Sequence, residues 1–207
     1  MIIVDVETTG KDSKKHGIID IAAMDFSNTN NFFHMECRLE ENAKICEEAL
    51  KINGFTHEEI LDKNKPSLKE VILAFHEWTK SVKERTLAGQ NVDFDIGFLK
   101  NSFEIAGIEW DLGHRKVDQH SIAYCIALSK GIDIPCNSDY VSDFNSDRIM
   151  AFSGIPSEIK PHKAINGVKW EVEAMSRLIY GKKMLPEFDK YDVPKYLDYF
   201  HEHSFDN

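Results

Sequence analysis

The chain has 207 residues, of which 42% are hydrophobic and 11% aromatic. That is enough apolar material to close a core, and too much for a disordered or low-complexity chain. Lys+Arg 25 against Asp+Glu 35 leaves a formal net charge of −10 at pH 7, which argues against gripping long duplex through its phosphates but not against binding metal cations or a nucleic-acid end.

Ile2 to Val6 reads as a short buried strand, closed by the turn signal Thr8-Thr9-Gly10. Ile18 to Phe26 and Phe32 to Leu39 read as the next two strands, joined through Ser27-Asn28-Thr29-Asn30. Residues 42–62 suggest short helical pieces broken at Asn53-Gly54. A longer helix follows, with Leu68, Val71, Ile72, Phe75, Trp78 and Val82 on its apolar face; Ser67 and Glu70 form its capping box.

Thr86 to Gly89 suits a fourth strand, and Val92 to Ala106 a helix with Phe94, Phe98 and Leu99 on one face. Lys116 to Asp118 suits a fifth strand running into a helix, His120–Ser129. Residues 130–161 form a long connection with one short helix around Ser142–Phe152. After Pro161-His162 comes the strongest helical pattern, with Ile165, Val168, Val172, Met175 and Ile179 spaced three and four apart. The tail from Lys182 contains Pro186 and Pro194 and room for a final helix.

This order predicts one α/β domain over residues 1–181, a mixed sheet flanked by helices, with 182–207 as a tail. No apolar run is long enough for a membrane span, and Met1-Ile2-Ile3-Val4 does not resemble a signal peptide, so a cytoplasmic protein is expected. Cys37, Cys46, Cys125 and Cys136 form no CxxC pair and read as buried cytosolic thiols.

Three stretches could carry chemistry. Asp5 and Glu7 stand two apart on the first strand, so both project from one face at its carboxyl end. Paired carboxylates repel unless a cation sits between them, and hard oxygen ligands suit Mg²⁺ or Mn²⁺. In Asn91-Val92-Asp93-Phe94-Asp95, Asn91 is a candidate N-cap and Asp93 faces solvent with Gly97 and Lys100. Asp95 shares its helix face with Phe98 and Leu99, so it points inward and needs a partner such as a shared cation. His162 lies just ahead of the strongest helix, at a mobile position next to the sheet. The bland reading of each is also open: a solvated strand face, a helix-dipole acid, an exposed loop histidine.

In this order VDVETTG, NVDFD and HKAIN resemble the DEDDh branch of 3′–5′ exonucleases, the DnaQ-like proofreading family that includes the DNA polymerase III epsilon subunit and RNase T. The resemblance covers roughly residues 1–180, and connecting segments such as Asn53-Gly54-Phe55-Thr56 and Val117-Asp118 extend it. It implies a ribonuclease H-like fold with a five-stranded mixed sheet. It also implies two divalent ions about 4 Å apart on the scissile phosphate. By the same resemblance Asp5, Glu7 and Asp95 are metal ligands, and His162 is the base that takes a proton from water. Thr8, Thr9, Asn53 and Asn91 would contact a single-stranded DNA or RNA 3′ end, and a nucleoside monophosphate would be the product.

One position departs from the pattern. The resemblance implies a fourth carboxylate where this chain has Gly167. Three explanations are open: a substitution that traps an inactive form, a natural non-catalytic relative, or replacement by Glu171 one helical turn further on. Asn166, about 100° around the helix, would be a poorer ligand. On the ligand reading, Gly167→Asp is expected to raise turnover by at least ~100-fold. The competing functions are a non-catalytic module binding nucleic-acid ends or a partner protein, and, more weakly, a hydrolase of short oligonucleotides.

Overall fold

The computed structural model describes residues 1–198. Its sheet is built around β1 (Ile2–Thr8), whose apolar residues Ile2, Ile3, Val4 and Val6 are all buried. A strand buried on both faces belongs in the middle of a sheet. The order is β3-β2-β1-β4-β5, with β2 (Ile18–Asp25), β3 (Phe32–Glu36), β4 (Leu87–Gly89) and β5 (Lys116–Asp118). β1 runs antiparallel to β2 and parallel to β4, and β2 pairs antiparallel with β3, so the sheet is mixed. This is the ribonuclease H-like arrangement expected.

The register places Asp5 opposite Ala22 and Glu7 opposite Asp20, and an irregularity falls between Glu7 and Thr8. β4 covers only Ile2 and Ile3 of β1. The carboxyl half of β1 is therefore left with an edge that other groups can reach.

The helices among the described residues are α1 (Glu47–Asn53), α2 (His57–Leu61), α3 (Leu68–Thr79), α4 (Asp93–Ala106), α5 (Gln119–Ser129), α6 (Ser146–Phe152) and α7 (Ala164–Tyr180). The expected capping box at Ser67 and Glu70 forms at α3. β3 ends at Glu36, short of Leu39, because the chain leaves the sheet to bond elsewhere: Arg38 N–H donates to Pro66 and Leu39 N–H to Ile60. α3 ends at Thr79, although Val82 beyond it is still buried. The helix expected around 142–152 starts only at Ser146, where Asn145 caps it.

The chain forms two compact units. The first, Met1–Val117 with Ile159–Val168, is cored by β1 against α3 and α4. Phe75 of α3 meets Phe33 edge-on at 5.5 Å and Phe103 of α4 at 6.4 Å. The second comprises Asp118–Glu158 and the chain from Lys169 on. Its apolar cluster includes Ala123, Ala127, Phe144, Ile149, Leu178 and Leu197.

At the centre of the second unit an ion pair joins Glu173 and Arg177, both fully buried on α7, with Nε donating to Oε1 at 2.6 Å. Arg177 also donates to the carbonyls of Ser153, Gly154, Asp192, Phe188 and Tyr191. The other Glu173 oxygen accepts from Met184 and Leu185 N–H. Buried charge is tolerable only when paired and hydrogen-bonded in this way.

The cysteine expectation needs correction. Cys37 is buried, which pushes its thiol up to about 12, but Cys46 is half-buried and Cys125 and Cys136 are exposed. The final helix expected in the tail lies partly outside the described residues; up to residue 198 the tail makes two short 3-10 turns, Pro186–Phe188 and Lys195–Leu197. Among the described residues no helix is long and apolar enough to cross a membrane.

Candidate active site

Asp5 and Glu7 are half-buried at the carboxyl end of β1. Asp95, in the first turn of α4, is only 4% exposed. Its Oδ1 accepts from the Val6 N–H at 3.0 Å. The edge of β1 that β4 leaves uncovered is thus closed by a carboxylate, and Asp95 arrives at the strand between Asp5 and Glu7. Asp93 points the other way, into an ion pair with Lys116.

Asn91 does not cap α4. Its φ is 55°, the N-cap position is Val92, and no side chain caps the helix. Asparagine is among the residues that enter the left-handed region most readily, and here it makes the turn into the helix. Phe94 N–H donates to its carbonyl at 2.9 Å.

The segment bearing His162 meets the rest of the first unit at successive residues. Pro161 packs on Gly54, where an added Cβ would come within 2.6 Å of the proline ring. Gly54 is also the left-handed cap of α1 (φ 69°), so two constraints call for glycine there. His162 is half-buried and its N–H donates to Ile52 at 3.1 Å. The Lys163 ammonium sits 3.2 Å from the centre of the Phe55 ring. Ala164 N–H, at the free end of α7, donates to Oδ2 of Asp20 at 3.1 Å. Asp20 is fully buried, and its Oδ1 binds His34 Nε2 at 3.0 Å. That bond raises the His34 pKa above its ordinary value. A carboxylate opposite Glu7 therefore caps the helix that follows His162.

Gly167 lies in the opening turns of α7. A Cβ added there would stand 2.1 Å from Oδ2 and 2.8 Å from Cγ of Asp5. The Asp5 carboxylate thus occupies the volume that any side chain at 167 would claim first. Glu171 follows one turn later on the same helix and is buried.

A cleft of about 780 Å³ opens beside these groups, lined by residues that include Glu7, Thr8, Asn53, Asn91, Ile52 and Phe94. Thr8 donates its hydroxyl to Gly10. Asn53 donates to the Thr8 carbonyl at 3.1 Å and accepts from Phe55 N–H, tying α1 to the end of β1. Thr9 departs from its expected substrate role: it is fully buried, and its hydroxyl is committed to Lys44 and Gly17. Sequence reasoning missed four further lining residues, Lys11, His16, Cys46 and Glu48. The Cys46 thiol donates to Glu48 at 3.1 Å and holds that carboxyl below its usual range. The dense Lys-His composition of residues 11–16 was the available signal for the first two.

The donors at the end of β1 are carboxylates, the right chemistry for a hard divalent ion. They are not yet gathered: among the described residues no group of three His, Cys, Asp or Glu is placed to hold one. Asp5 leans on Gly167, and Asp95 accepts from the Val6 N–H.

An exonuclease family model, RNase_T, matches residues 2–124. The DNA polymerase III subunit epsilon of Buchnera aphidicola subsp. Baizongia pistaciae is 32% identical over 127 residues, 58% of this chain and 47% of that protein. A PolC-type DNA polymerase III from Bacillus cereus is 28% identical over 108 residues, 52% of this chain and 7% of that protein. The chain thus spans less than half the length of these relatives. Among solved structures, E. coli Exonuclease I in complex with a dA16 oligonucleotide superposes with a TM-score of 0.69 and 22% identity, covering 87% of this chain and 40% of that one; this likeness shows the fold.

Proposed function

The chain belongs to the exonuclease family, and from that premise we propose that it is a metal-dependent 3′–5′ exonuclease acting on single-stranded or frayed nucleic-acid ends, DNA before RNA. The observation that carries this reading is Asp95 Oδ1 on the Val6 N–H, which brings a buried carboxylate to the strand between Asp5 and Glu7 beside an open cleft. Exonucleases of this kind generally use divalent metal ions. Asp5, Glu7 and Asp95 would hold Mg²⁺ or Mn²⁺, which when bound offsets the charge that develops on the phosphate.

The chain's own groups do the rest. The cleft beside Thr8, Asn53 and Asn91 takes the terminal nucleotide, with Phe94 and Ile52 offering apolar faces to its base. His162, held by its own N–H on Ile52 and by its neighbours' contacts to Gly54, Phe55 and Asp20, accepts a proton from the attacking water on its imidazole nitrogen. The water oxygen bonds to phosphorus as the bond to the 3′ oxygen of the preceding nucleotide breaks. A nucleoside 5′-monophosphate leaves, and the shortened strand takes a proton from solvent.

A second reading, a non-catalytic module that binds nucleic-acid ends or a partner, is favoured by Gly167 and by the dispersed carboxylates. One experiment separates the two. A 5′-labelled single-stranded oligonucleotide, as DNA and as RNA, is incubated with the chain and Mg²⁺ or Mn²⁺. The exonuclease reading expects a ladder shortened from the 3′ end, lost in Glu7→Gln. Binding without shortening in either metal supports the module instead. Glu171→Gln in the same assay asks whether Glu171 supplies the charge missing at 167.

A further inference from the structure

We propose that the loop of residues 11–16 is a rail for the rest of the strand as it leaves the cleft, with Lys11, Lys14 and Lys44 holding phosphates on the 5′ side of the terminal nucleotide. This placement rests on the nuclease reading and concerns a surface that the reaction itself does not use. Charge calls for such a surface. The chain carries a formal −10 and its candidate site is built of carboxylates, so every further nucleotide brings a phosphate toward like charge. A strand is held there only if positive groups lie next to the cleft.

Those groups are gathered in one place. Residues 11–16 read Lys-Asp-Ser-Lys-Lys-His, three lysines against one acid. Of the described residues lining the cleft, Lys11 is the one lysine or arginine, while Glu7 and Glu48 are its acids. His16 lines the cleft too, and it also lines a second hollow of about 270 Å³ together with Lys14 and Lys15, where Glu40 is the one carboxylate. The loop thus joins the nucleotide cleft to a mostly basic hollow through a shared residue. Lys44 is brought alongside from further along the chain: its N–H donates to the Lys15 carbonyl, and it pairs with His16 in a parallel bridge. Lys15 is engaged by Asp12 at 2.7 Å. Lys11, Lys14 and Lys44 are exposed, and among the described residues no ion pair engages them.

The backbone under these lysines is held firmly. The Asp12 carbonyl accepts from the N–H groups of Lys15 and His16, and Asp12 Oδ1 accepts from Lys14 N–H at 3.0 Å. Asp12 N–H donates to His16 Nδ1 at 3.2 Å. The His16 ring packs on the bare Cα of Gly10, where an added Cβ would collide with it. Binding therefore has only the lysine side chains to order, not the loop. Contacts of this kind read phosphate and not base, which suits a chain that must accept each new end in turn.

The test uses the full chain as wild type, Lys14→Gln, Lys44→Gln, the double variant and Lys14→Arg, with folding checked by circular dichroism. Binding of 5′-fluorescent oligothymidylate and oligouridylate of about ten residues is read by anisotropy, with Ca²⁺ replacing Mn²⁺, from about 50 to 250 mM KCl. Turnover with Mn²⁺ is compared on the same strands and on the p-nitrophenyl ester of thymidine 5′-monophosphate, which has no phosphate beyond the first. Each Lys→Gln should lower the slope of log affinity against log salt by about 0.7, and the double variant by about 1.4. Read against 1 M salt, a slope of about 0.7 is a loss of about 5-fold per lysine at 0.1 M. KM on the strands should rise by that factor with kcat unchanged. Lys14→Arg should keep the wild-type slope, and the ester should be hydrolysed with wild-type KM and kcat in every variant. An unchanged slope in the double variant, an equal loss on the ester, or no binding of either strand by wild type would overturn the proposal. Absence of wild-type turnover on every substrate would sink the nuclease reading instead, and the salt slopes would still decide the rail.

Discussion

The two ends of α7 handle charge in opposite ways. In its second half Glu173 and Arg177 are fully buried, face each other at i,i+4, and have their remaining hydrogen-bonding capacity spent on backbone groups. At its beginning, carboxylates of like sign lie along the end of β1, with Asp95 accepting from the Val6 N–H and Asp5 against Gly167. The first arrangement is complete without a ligand. The second sets carboxylates of one sign beside an open cleft, which is the chemistry a site for a cation and a phosphate requires. Balanced, buried charge marks a structural cluster, and like charge beside a cleft marks a candidate functional one.

That contrast can be broken most forcefully at Arg177. Arg177→Ala leaves Glu173 buried with its partner gone and five carbonyls without their donor, so a loss of about 3–5 kcal/mol in unfolding free energy is expected. Chemical denaturation measures it. Turnover per folded molecule should be unchanged; a selective loss of turnover would erase the distinction between the two ends.

His162 should behave in the converse manner. His162→Asn is expected to lower kcat by about 10²–10⁴-fold, the range for a lost general base. Melting temperature should hardly move, because the backbone N–H to Ile52 survives the substitution. Unchanged kcat with normal folding would remove His162 from the chemistry.

Asp20 joins the two behaviours, since it is buried and saturated yet holds the start of α7. Asp20→Asn removes a charged acceptor from both His34 and Ala164 N–H, at about 1.5–3 kcal/mol. If the capped turn positions His162, kcat should fall with KM little changed. Equal stability loss with wild-type kcat would make Asp20 structural only.

Much of this was legible in the residue order, and the exceptions have physical reasons. The apolar stripe of α7, the capping box of Ser67 and Glu70 and the central place of β1 follow from local pattern, which tertiary packing reinforced. Asp5 and Glu7 were readable because a strand has period two, and Asp95 because an acid on an apolar helix face has to be accounted for. Asn91 misled because the chemistry that suits an N-cap also suits the left-handed turn it makes. Glu173 and Arg177 look in sequence like a solvated i,i+4 pair; only loops far along the chain turn them into a core. The bond of Asp20 to Ala164 N–H and the close approach of Asp5 to Gly167 join chain segments more than 140 residues apart, and no local pattern reports such a meeting.

The smallest expected effect concerns pH and tests the Asp20 link without touching it. The His34 pKa is raised, first by its hydrogen bond to Asp20, opposed by desolvation and assisted by the charge of Asp20 and Glu36, with Lys163 working against it. A histidine whose folded pKa exceeds its unfolded value binds its proton more tightly when folded, so protonation stabilises the fold. The contribution is fully present below about pH 6.5, the unfolded value, and is lost as pH rises through the higher folded value. The side chain is 34% exposed, and solvent screening keeps the effect under about 1 kcal/mol. Wild type and His34→Gln, melted in matched buffers from pH 5.5 to 8.5, should differ most at the acid end and converge toward the alkaline end. A gap that widens with rising pH would mean that His34 is held neutral, and Asp20 would then cap α7 without a charged partner on the sheet.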